Sequence, residues 1–230
     1  DVILLMNYSP TPGKVNILSI SRDTMVYVKS KPVKINSLIA IGGERLVADR
    51  IEKMTGLMVD YYVTIDFAGF RKVIDTLDGV EFDVPFNMNY DDPDQNLHIH
   101  LEKGRQMLDG KRAEQLVRYR KGNRKNEGYE DGDIGRIKMQ QQFIESLIQQ
   151  KLKLKYLSKA DDIYFILKEH LSTNIEIGDV RYYLKYIKDF DYHNVRLFTI
   201  PGEAQIIDGL SYFIHDSKET KKMINEEFTR

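Results

Sequence analysis

The chain has 230 residues, of which 42% are hydrophobic, enough to bury the core of one domain of ordinary size. Its 34 Lys and Arg nearly balance its 35 Asp and Glu, so the formal net charge is -1 and no global nucleic-acid footprint is expected. The absence of cysteine excludes disulfides, cysteine-based zinc sites and thiol catalysis. The longest apolar run, residues 2–6, is far shorter than the roughly 20 residues that span a bilayer.

The N-terminal pattern predicts a β-hairpin. Residues 2–7 form an apolar strand that we expect to be buried on both faces, and residues 15–20 form a second strand after Pro- and Gly-rich turn chemistry. Pairing these strands antiparallel puts Asp1 opposite Arg22 or Asp23. Two carboxylates at one place favour a bound cation, and oxygen ligands favour Mg²⁺ or Ca²⁺. The alternative is a structural ion pair in which Arg22 neutralises one aspartate.

Downstream, helical and strand patterns alternate. Helices are predicted at residues 43–55, 67–77, 110–119, 134–151, 161–171, 180–190 and 217–228, and strands at residues 61–65, 80–84, 97–101 and 195–200. Residues 87–95 are predicted as a polar loop. This order predicts an α/β fold, a layered α-β-α domain with a central mixed β-sheet. Most of the apolar stripe Phe67, Phe70, Val73, Ile74 and Leu77 is expected to be core, although it could also line an apolar groove.

Two histidines stand out on the strand at residues 97–101. His98 and His100 lie two apart, so they share a face and could form a metal pair. Since no third ligand is near them in the sequence, an exposed strand face is the favoured interpretation.

A basic segment runs from Lys111 to Lys125 with only Glu114 opposing it, and its centre is Arg118-Tyr119-Arg120 at the end of the helix at residues 110–119. Arginines suit bidentate capture of phosphate oxygens, whereas a solvated helix end that favours cations is the alternative. Residues i and i+2 share a face only in extended backbone. Arg118 and Arg120 can therefore converge on one anion only if the helix ends at about Arg118.

The start of the long helix carries Asp133-Ile134-Gly135-Arg136, followed one turn later by Gln140. Asp133 is a plausible N-cap, and a helix start with an arginine is suited to binding an anion. Capping with an exposed polar face is the equally weighted alternative.

These motifs occur in the order seen in one family. In chain order they are Ile20-Ser21-Arg22-Asp23, Lys34-Ile35-Asn36, Gly42-Gly43, Asp66-Phe67-Ala68-Gly69-Phe70, Asp75-Thr76-Leu77-Asp78-Gly79-Val80, Leu108-Asp109-Gly110, Arg118-Tyr119-Arg120 and Asp133-Ile134-Gly135-Arg136 with Gln140. The chain therefore resembles the LytR-CpsA-Psr family of cell-wall glycopolymer transferases. The resemblance covers residues 1 to about 150 as a catalytic domain, and residues 151–230 look like a C-terminal extension packed on the same domain.

The resemblance implies a function and a site. Family members transfer an anionic glycopolymer, such as teichoic acid or capsule, from a polyprenyl-pyrophosphate carrier onto peptidoglycan with Mg²⁺, and Mn²⁺ is possible. By the same resemblance, Asp1 and Asp23 would hold the metal, and Asp133, Arg22 and Arg120 would be catalytic, with Asp133 as the candidate base. The substrate-binding residues would be Arg22, Lys34, Arg118, Arg120, Arg136 and Gln140.

The resemblance also implies a location on the extracellular face of the cytoplasmic membrane of a Gram-positive cell. The chain opens within a predicted strand and without a start methionine, so we expect a fragment that lacks an N-terminal single-pass anchor and a strand region. No nucleic-acid partner is expected. Two other functions stay open: a Mg²⁺-dependent polyprenyl-pyrophosphate pyrophosphatase or phosphatase, and a non-enzymatic module that binds anionic polymer.

Overall fold

A computed structural model of the chain describes residues 2–9, 13–94, 96–124, 127–130, 132–151, 156, 159–184, 186 and 191–228. The strands are β1 (Ile3–Ser9), β2 (Lys14–Ile20), β3 (Met25–Val28), β4 (Lys31–Lys34), β5 (Val63–Ile65), β6 (Val80–Val84), β7 (Met88–Asp92), β8 (Leu97–Leu101), β9 (Gly104–Leu108), β10 (Leu171–Thr173), β11 (Val195–Thr199), β12 (Gly202–Ile207) and β13 (Leu210–His215). The helices are α1 (Leu38–Thr55), α2 (Phe67–Thr76), α3 (Gly110–Arg118), α4 (Asp133–Lys151), α5 (Ala160–His170), α6 (Ile177–Leu184) and α7 (Ser217–Glu227). None of the helices described has the length and apolarity that crossing a bilayer requires.

The chain divides into two compact units. Unit 1 comprises Asp1–Thr64, Thr173–Ile175 and Asp189–Arg230, and unit 2 comprises Ile65–Ser172 and Glu176–Lys188. The predicted extension, residues 151–230, thus contributes to both units. The predicted boundary at residue 150 stays a prediction.

Unit 1 is built on a mixed three-stranded sheet in the order β1-β2-β11. β1 pairs antiparallel with β2, with Ile3 opposite Ile20, and β11 runs parallel to β2. The hairpins β3-β4 and β12-β13 and helices α1 and α7 complete the unit. Its core is apolar, made of Leu5, Leu18, Ile20, Val26, Ile35, Leu38, Ile51, Met54, Ile200, Ile224 and Phe228.

Unit 2 combines helices α2 to α6 with two antiparallel strand pairs. β6 pairs with β9, and β7 pairs with β8. β6 alternates buried and exposed residues, which is the pattern of a strand with one face on the core. The buried side chains of this core are Ile74, Val80, Phe82, Val84, Met88, Ile99, Leu101, Leu108, Ala113, Leu116, Tyr119, Met139 and Phe143.

The predicted α/β class with a mixed sheet is confirmed, and so are several helix ends. α1 ends before Gly56, whose φ of 79° is the left-handed conformation that glycine accommodates without a Cβ penalty. Gly42 and Gly43 have non-helical backbone and kink α1, so they interrupt a helix that begins earlier, at Leu38.

Two predictions about strands are wrong. β1 is not buried on both faces, because Leu4 and Met6 are exposed and only alternate residues pack inward. Residues 87–95 are not a polar loop, because Met88–Asp92 forms β7. This strand is stabilised by hairpin pairing with β8 and by the full burial of Met88, and the polar composition of residues 87–95 signals neither.

Candidate functional site

The first group of predicted site residues lies in unit 1, just after β2. Thr24 N donates to Ser21 O at 3.0 Å, which closes a turn across Arg22 and Asp23. Phe213 N donates to Asp23 O at 2.9 Å, and Ile35 N donates to Thr24 O at 2.9 Å. The backbone of this turn is therefore fixed from both sides by neighbouring elements of the same unit.

The side chains of this turn form an ion cluster, here called the Asp23 cluster, made of Arg22, Asp23 and Lys34. Lys34 Nζ lies 2.9 Å from Asp23 Oδ1, whereas Arg22 Nε is 4.0 Å from the same oxygen. The ring of Tyr212 lies below Lys34, with 5.9 Å between the ammonium nitrogen and the ring centroid. The Asp23 side chain is 21% exposed, so its carboxylate is accessible from solvent.

Asp1 is the predicted partner of Asp23 in a metal site. Asp1 lies outside the described residues, although the register that brings Ile3 opposite Ile20 is the one the sequence predicted. The structure thus brings Arg22, Asp23 and Lys34 together. Whether Asp1 and Asp23 share a metal ion stays a prediction.

The second group lies in unit 2, around the end of α3. Asp109 caps the helix N-terminus by accepting a hydrogen bond from Arg112 N at 2.8 Å. The helix ends at Arg118, because Tyr119 has an extended backbone with ψ of 131°. The predicted helix end is therefore confirmed. Arg118 is partly buried and Arg120 is exposed.

The Arg118 guanidinium contacts Glu114 on one side and Phe67 on another, and Glu114 also contacts Arg71. We call these four residues the Arg118 cluster. Arg118 Nη1 donates to Glu114 Oε1 at 2.7 Å, and Arg71 Nη1 donates to Glu114 Oε2. The guanidinium carbon of Arg118 lies 4.6 Å from the ring centroid of Phe67, within the range of a cation–π contact. Arg118 is therefore fixed in direction.

Sequence reasoning missed two members of this cluster. Glu114 stood out only as the single acid in a basic segment, and Arg71 was not singled out at all. Arg71 lies 43 residues before Glu114, and no local pattern links them. The helical spacing of Glu114 and Arg118 was the one available signal, since residues four apart share a helix face.

The start of α4 contributes two buried polar side chains, Arg136 and Gln140, each with less than a tenth of its surface exposed. Gln140 Nε2 donates to Val117 O at 2.8 Å, which ties α4 to the last turn of α3. Gln140 therefore contacts Val117, the residue that precedes Arg118 in the chain. Asp133 is the first residue of α4, and its side chain lies outside the described part of the chain.

An aromatic group supports these elements. The rings of Phe86, Tyr119 and Tyr129 contact one another with centroids 5.4 to 6.0 Å apart. Burial raises the pKa of Tyr129 well above its usual range, and nearby Arg136 partly offsets this effect. Tyr129 therefore stays neutral and packs against the first turn of α4.

Each group has a chemistry of its own. The Arg118 cluster offers an oriented guanidinium, and the Asp23 cluster offers a carboxylate oxygen beside an ammonium. Fixed guanidinium groups bind phosphate oxygens, and carboxylate oxygens bind Mg²⁺. Because the two groups belong to different units, their union into one site stays a prediction.

Comparison with known proteins decides the family. The sequence matches the profile of the LytR_cpsA_psr family over residues 1–229.

The chain belongs to the LytR-CpsA-Psr family.

Two similar proteins of this family are named teichoic acid transferases. The chain is 28% identical over 230 residues to the polyisoprenyl-teichoic acid–peptidoglycan teichoic acid transferase TagV of Bacillus subtilis, covering 97% of this chain and 57% of that protein. It is 27% identical over 228 residues to the transferase TagU of Bacillus licheniformis, covering 98% of this chain and 70% of that protein. The chain thus spans little more than half the length of TagV.

A solved structure supports the same family fold. The crystal structure of B. subtilis TagV matches with a TM-score of 0.79 and 26% identity, covering 98% of this chain and 88% of that one. The fold that the sequence motifs predicted, that of a LytR-CpsA-Psr domain, is confirmed by this match.

Proposed function

We propose that this chain is the catalytic domain of a transferase that moves an anionic glycopolymer from a polyprenyl-pyrophosphate carrier onto peptidoglycan, assisted by Mg²⁺. The observation that carries the proposal is the fixed guanidinium of Arg118. It lies at a helix end in a chain whose relatives TagV and TagU are named polyisoprenyl-teichoic acid–peptidoglycan teichoic acid transferases. The domain would act outside the cytoplasmic membrane, where peptidoglycan lies, held there by an anchor in the full protein.

The arginines would bind the diphosphate. Displacement at phosphorus gathers negative charge on the bridging and equatorial oxygens, and preorganised cations stabilise that charge. Arg118 is already oriented by Glu114 and Phe67, so little conformational entropy is lost when it binds. Arg22, Lys34, Arg120 and Arg136 would supply further positive charge, and Gln140 would hold α4 against α3 through its bond to Val117 O.

The residues present fit a magnesium ion. Asp23 has a partly exposed carboxylate, and oxygen donors of this kind suit Mg²⁺ or Mn²⁺. In the proposal Asp23 and Asp1 hold the ion, which when bound would neutralise charge on the diphosphate.

The transfer step balances as a simple displacement. A hydroxyl oxygen of the peptidoglycan sugar forms a bond to the phosphorus that carries the glycan. The bond from that phosphorus to the bridging oxygen breaks, and polyprenyl phosphate leaves. The hydroxyl proton passes to a carboxylate, a role we assign to Asp133 at the start of α4.

The test is a transfer assay with a synthetic polyprenyl-pyrophosphate glycan and peptidoglycan fragments as acceptor. Polymer linked to the acceptor is the expected product. Free glycan phosphate without linkage would indicate a hydrolase, and binding without turnover that persists in EDTA would indicate a binding module. Either outcome would overturn the proposal.

A matched pair of variants tests the role of Arg118. Arg118→Lys keeps the charge but loses the planar, bidentate geometry, so we expect diphosphate binding to weaken by ~1–3 kcal/mol. Arg112→Lys, an exposed arginine of the same helix, is the control and should bind as the wild type does. Calorimetry with polyprenyl pyrophosphate measures both. Equal affinities would remove Arg118 from the site.

A further inference from the structure

One face of the β7-β8 hairpin carries a compact group of metal-ligating side chains. In the antiparallel register Asp91 lies opposite His98, and Asn89 lies opposite His100. His98 and His100 are two apart on β8, so all four side chains project from the same face. Ile99, between the histidines, is fully buried on the other face.

The side chains on this face converge. Asp91 Oδ1 lies 2.6 Å from His98 Nδ1 and 3.2 Å from His100 Nε2. One ligand atom from each of these three residues can be chosen so that all lie within 4.8 Å of one another. Asn89 Oδ1 lies 3.3 Å from His100 Nδ1, on the far side of that ring. The third ligand that the sequence did not reveal is therefore Asp91, supplied by the neighbouring strand.

We propose that Asp91, His98 and His100 form a binding site for a divalent transition-metal ion, with Zn²⁺ the best match. Imidazole nitrogens suit Zn²⁺, whereas Mg²⁺ prefers oxygen ligands. Around a tetrahedral zinc ion with ligand distances of ~2.0 Å, ligand atoms lie about 3.3 Å apart. The separation between Asp91 and His100 already has this value, and the one between Asp91 and His98 needs to open by less than an ångström.

The structure provides partners for the ligands. Asn123 Oδ1 accepts from Asp91 N at 2.6 Å, and Asn123 Nδ2 donates to Asp91 O at 2.8 Å. The Asn89 contact orients the His100 ring so that Nε2 faces Asp91. The Asn123 bonds fix the backbone that carries Asp91. The Asn89 contact is of the kind that orients a metal-ligating histidine and raises affinity. The three ligand side chains are each about half exposed, so an ion reaches them from solvent and a fourth position stays open.

A second histidine–aspartate pair provides a comparison. His193 Nδ1 lies 2.7 Å from Asp191 Oδ1, and both side chains are exposed. Among the described residues, no second histidine joins this pair to form a three-ligand group. A pair of this kind is satisfied by one hydrogen bond. At Asp91 two ring nitrogens lie close to one carboxylate oxygen, so a single ion could bind all three atoms.

Calorimetric titration of the untagged, EDTA-dialysed chain with ZnCl₂ tests the site. We expect one ion per chain and a loss of affinity of at least roughly 10-fold in each of Asp91→Asn, His98→Gln and His100→Gln, because each substitution removes a direct ligand. His193→Gln, the matched control, should bind as the wild type does. A large excess of Mg²⁺ should leave Zn²⁺ bound, which separates this site from the magnesium site of the proposed function.

If a variant does not fold, a measurement on the wild-type chain still tests the zinc site. Zn²⁺ should protect His98 and His100, but not His193, from modification by diethyl pyrocarbonate, as read by mass spectrometry. Absence of saturable Zn²⁺ binding, equal binding in folded site variants, or equal modification of all three histidines would overturn the proposal. None of these outcomes depends on transferase activity.

Discussion

Arg118 and Glu114 form a hydrogen-bonded ion pair of 2.7 Å between Nη1 and Oε1, one turn apart on α3. Glu114 has only 10% of its side chain exposed, and its other carboxylate oxygen accepts from Arg71. One carboxylate thus holds two guanidinium groups, from α2 and from α3. It neutralises part of their charge and fixes the direction of Arg118.

Glu114→Gln should therefore affect stability and activity together. The amide loses the charge that both arginines pair with, and one of its two oxygens is replaced by a donor that cannot accept from Arg71. We expect a loss of ~1–3 kcal/mol in the free energy of unfolding, measured by urea denaturation, and weaker transfer in the assay above. Asp49→Asn breaks the exposed Arg45–Asp49 pair and should cost less than about 0.5 kcal/mol. Equal losses in the two variants would contradict this account.

Asp23 is expected to carry the metal dependence of the reaction. Asp23→Asn keeps the size of the side chain but removes the charge that attracts a divalent cation, so Mg²⁺ should no longer stimulate turnover. Since the carboxylate is partly exposed, the fold should survive, and unfolding curves check this. Asp60→Asn, an exposed aspartate of the same unit, is the control and should retain the wild-type Mg²⁺ response. An unchanged response in Asp23→Asn would remove Asp23 from the metal site.

His215 should make the free energy of unfolding depend on pH. Burial lowers its pKa below the usual value of about 6.5, and the neighbouring Asp216 offsets part of this effect. As pH falls, the unfolded chain takes up the proton first, so stability is complete above pH ~6.5 and is lost as pH falls through the lowered pKa. His215→Gln should lose less stability between pH ~7 and ~5 than the wild type, measured by urea denaturation across this range. An identical slope in His215→Gln and in the wild type would contradict the prediction.

Local chemistry predicted some parts of this molecule and missed others for a physical reason. Gly56 ends α1 in left-handed backbone, and α3 ends at Arg118, because helix termini depend on neighbouring residues in the chain. β7 was missed, since Met88–Asp92 is polar in composition and becomes a strand only by pairing with β8. Asp91, the residue that completes the group around His98 and His100, was missed with it. Pairing with the next strand sets both features, and the composition of residues 88–92 by itself does not display that pairing.

The last prediction concerns Gly135, in the first turn of α4. A Cβ built on Gly135 would lie 2.5 Å from Tyr129 Cβ, closer than two such carbons approach in proteins. Gly135→Ala must therefore push Tyr129 or the start of α4 away, and overpacking of this kind costs ~1–3 kcal/mol. Because Arg136 follows directly, we also expect weaker diphosphate binding in the calorimetric assay.

Gly178 provides the matched control, because it also lies in the first turn of a helix, α6, and a Cβ there would meet nothing within 4 Å. Alanine is the better helix former, so Gly178→Ala should leave binding unchanged and stabilise the fold by ~0.4–1 kcal/mol. The two substitutions are chemically identical, and only the space around the new methyl group differs. Opposite signs in the free energy of unfolding are thus the expected result, and a Gly135→Ala variant as stable as Gly178→Ala would mean that Tyr129 does not pack against α4 as described.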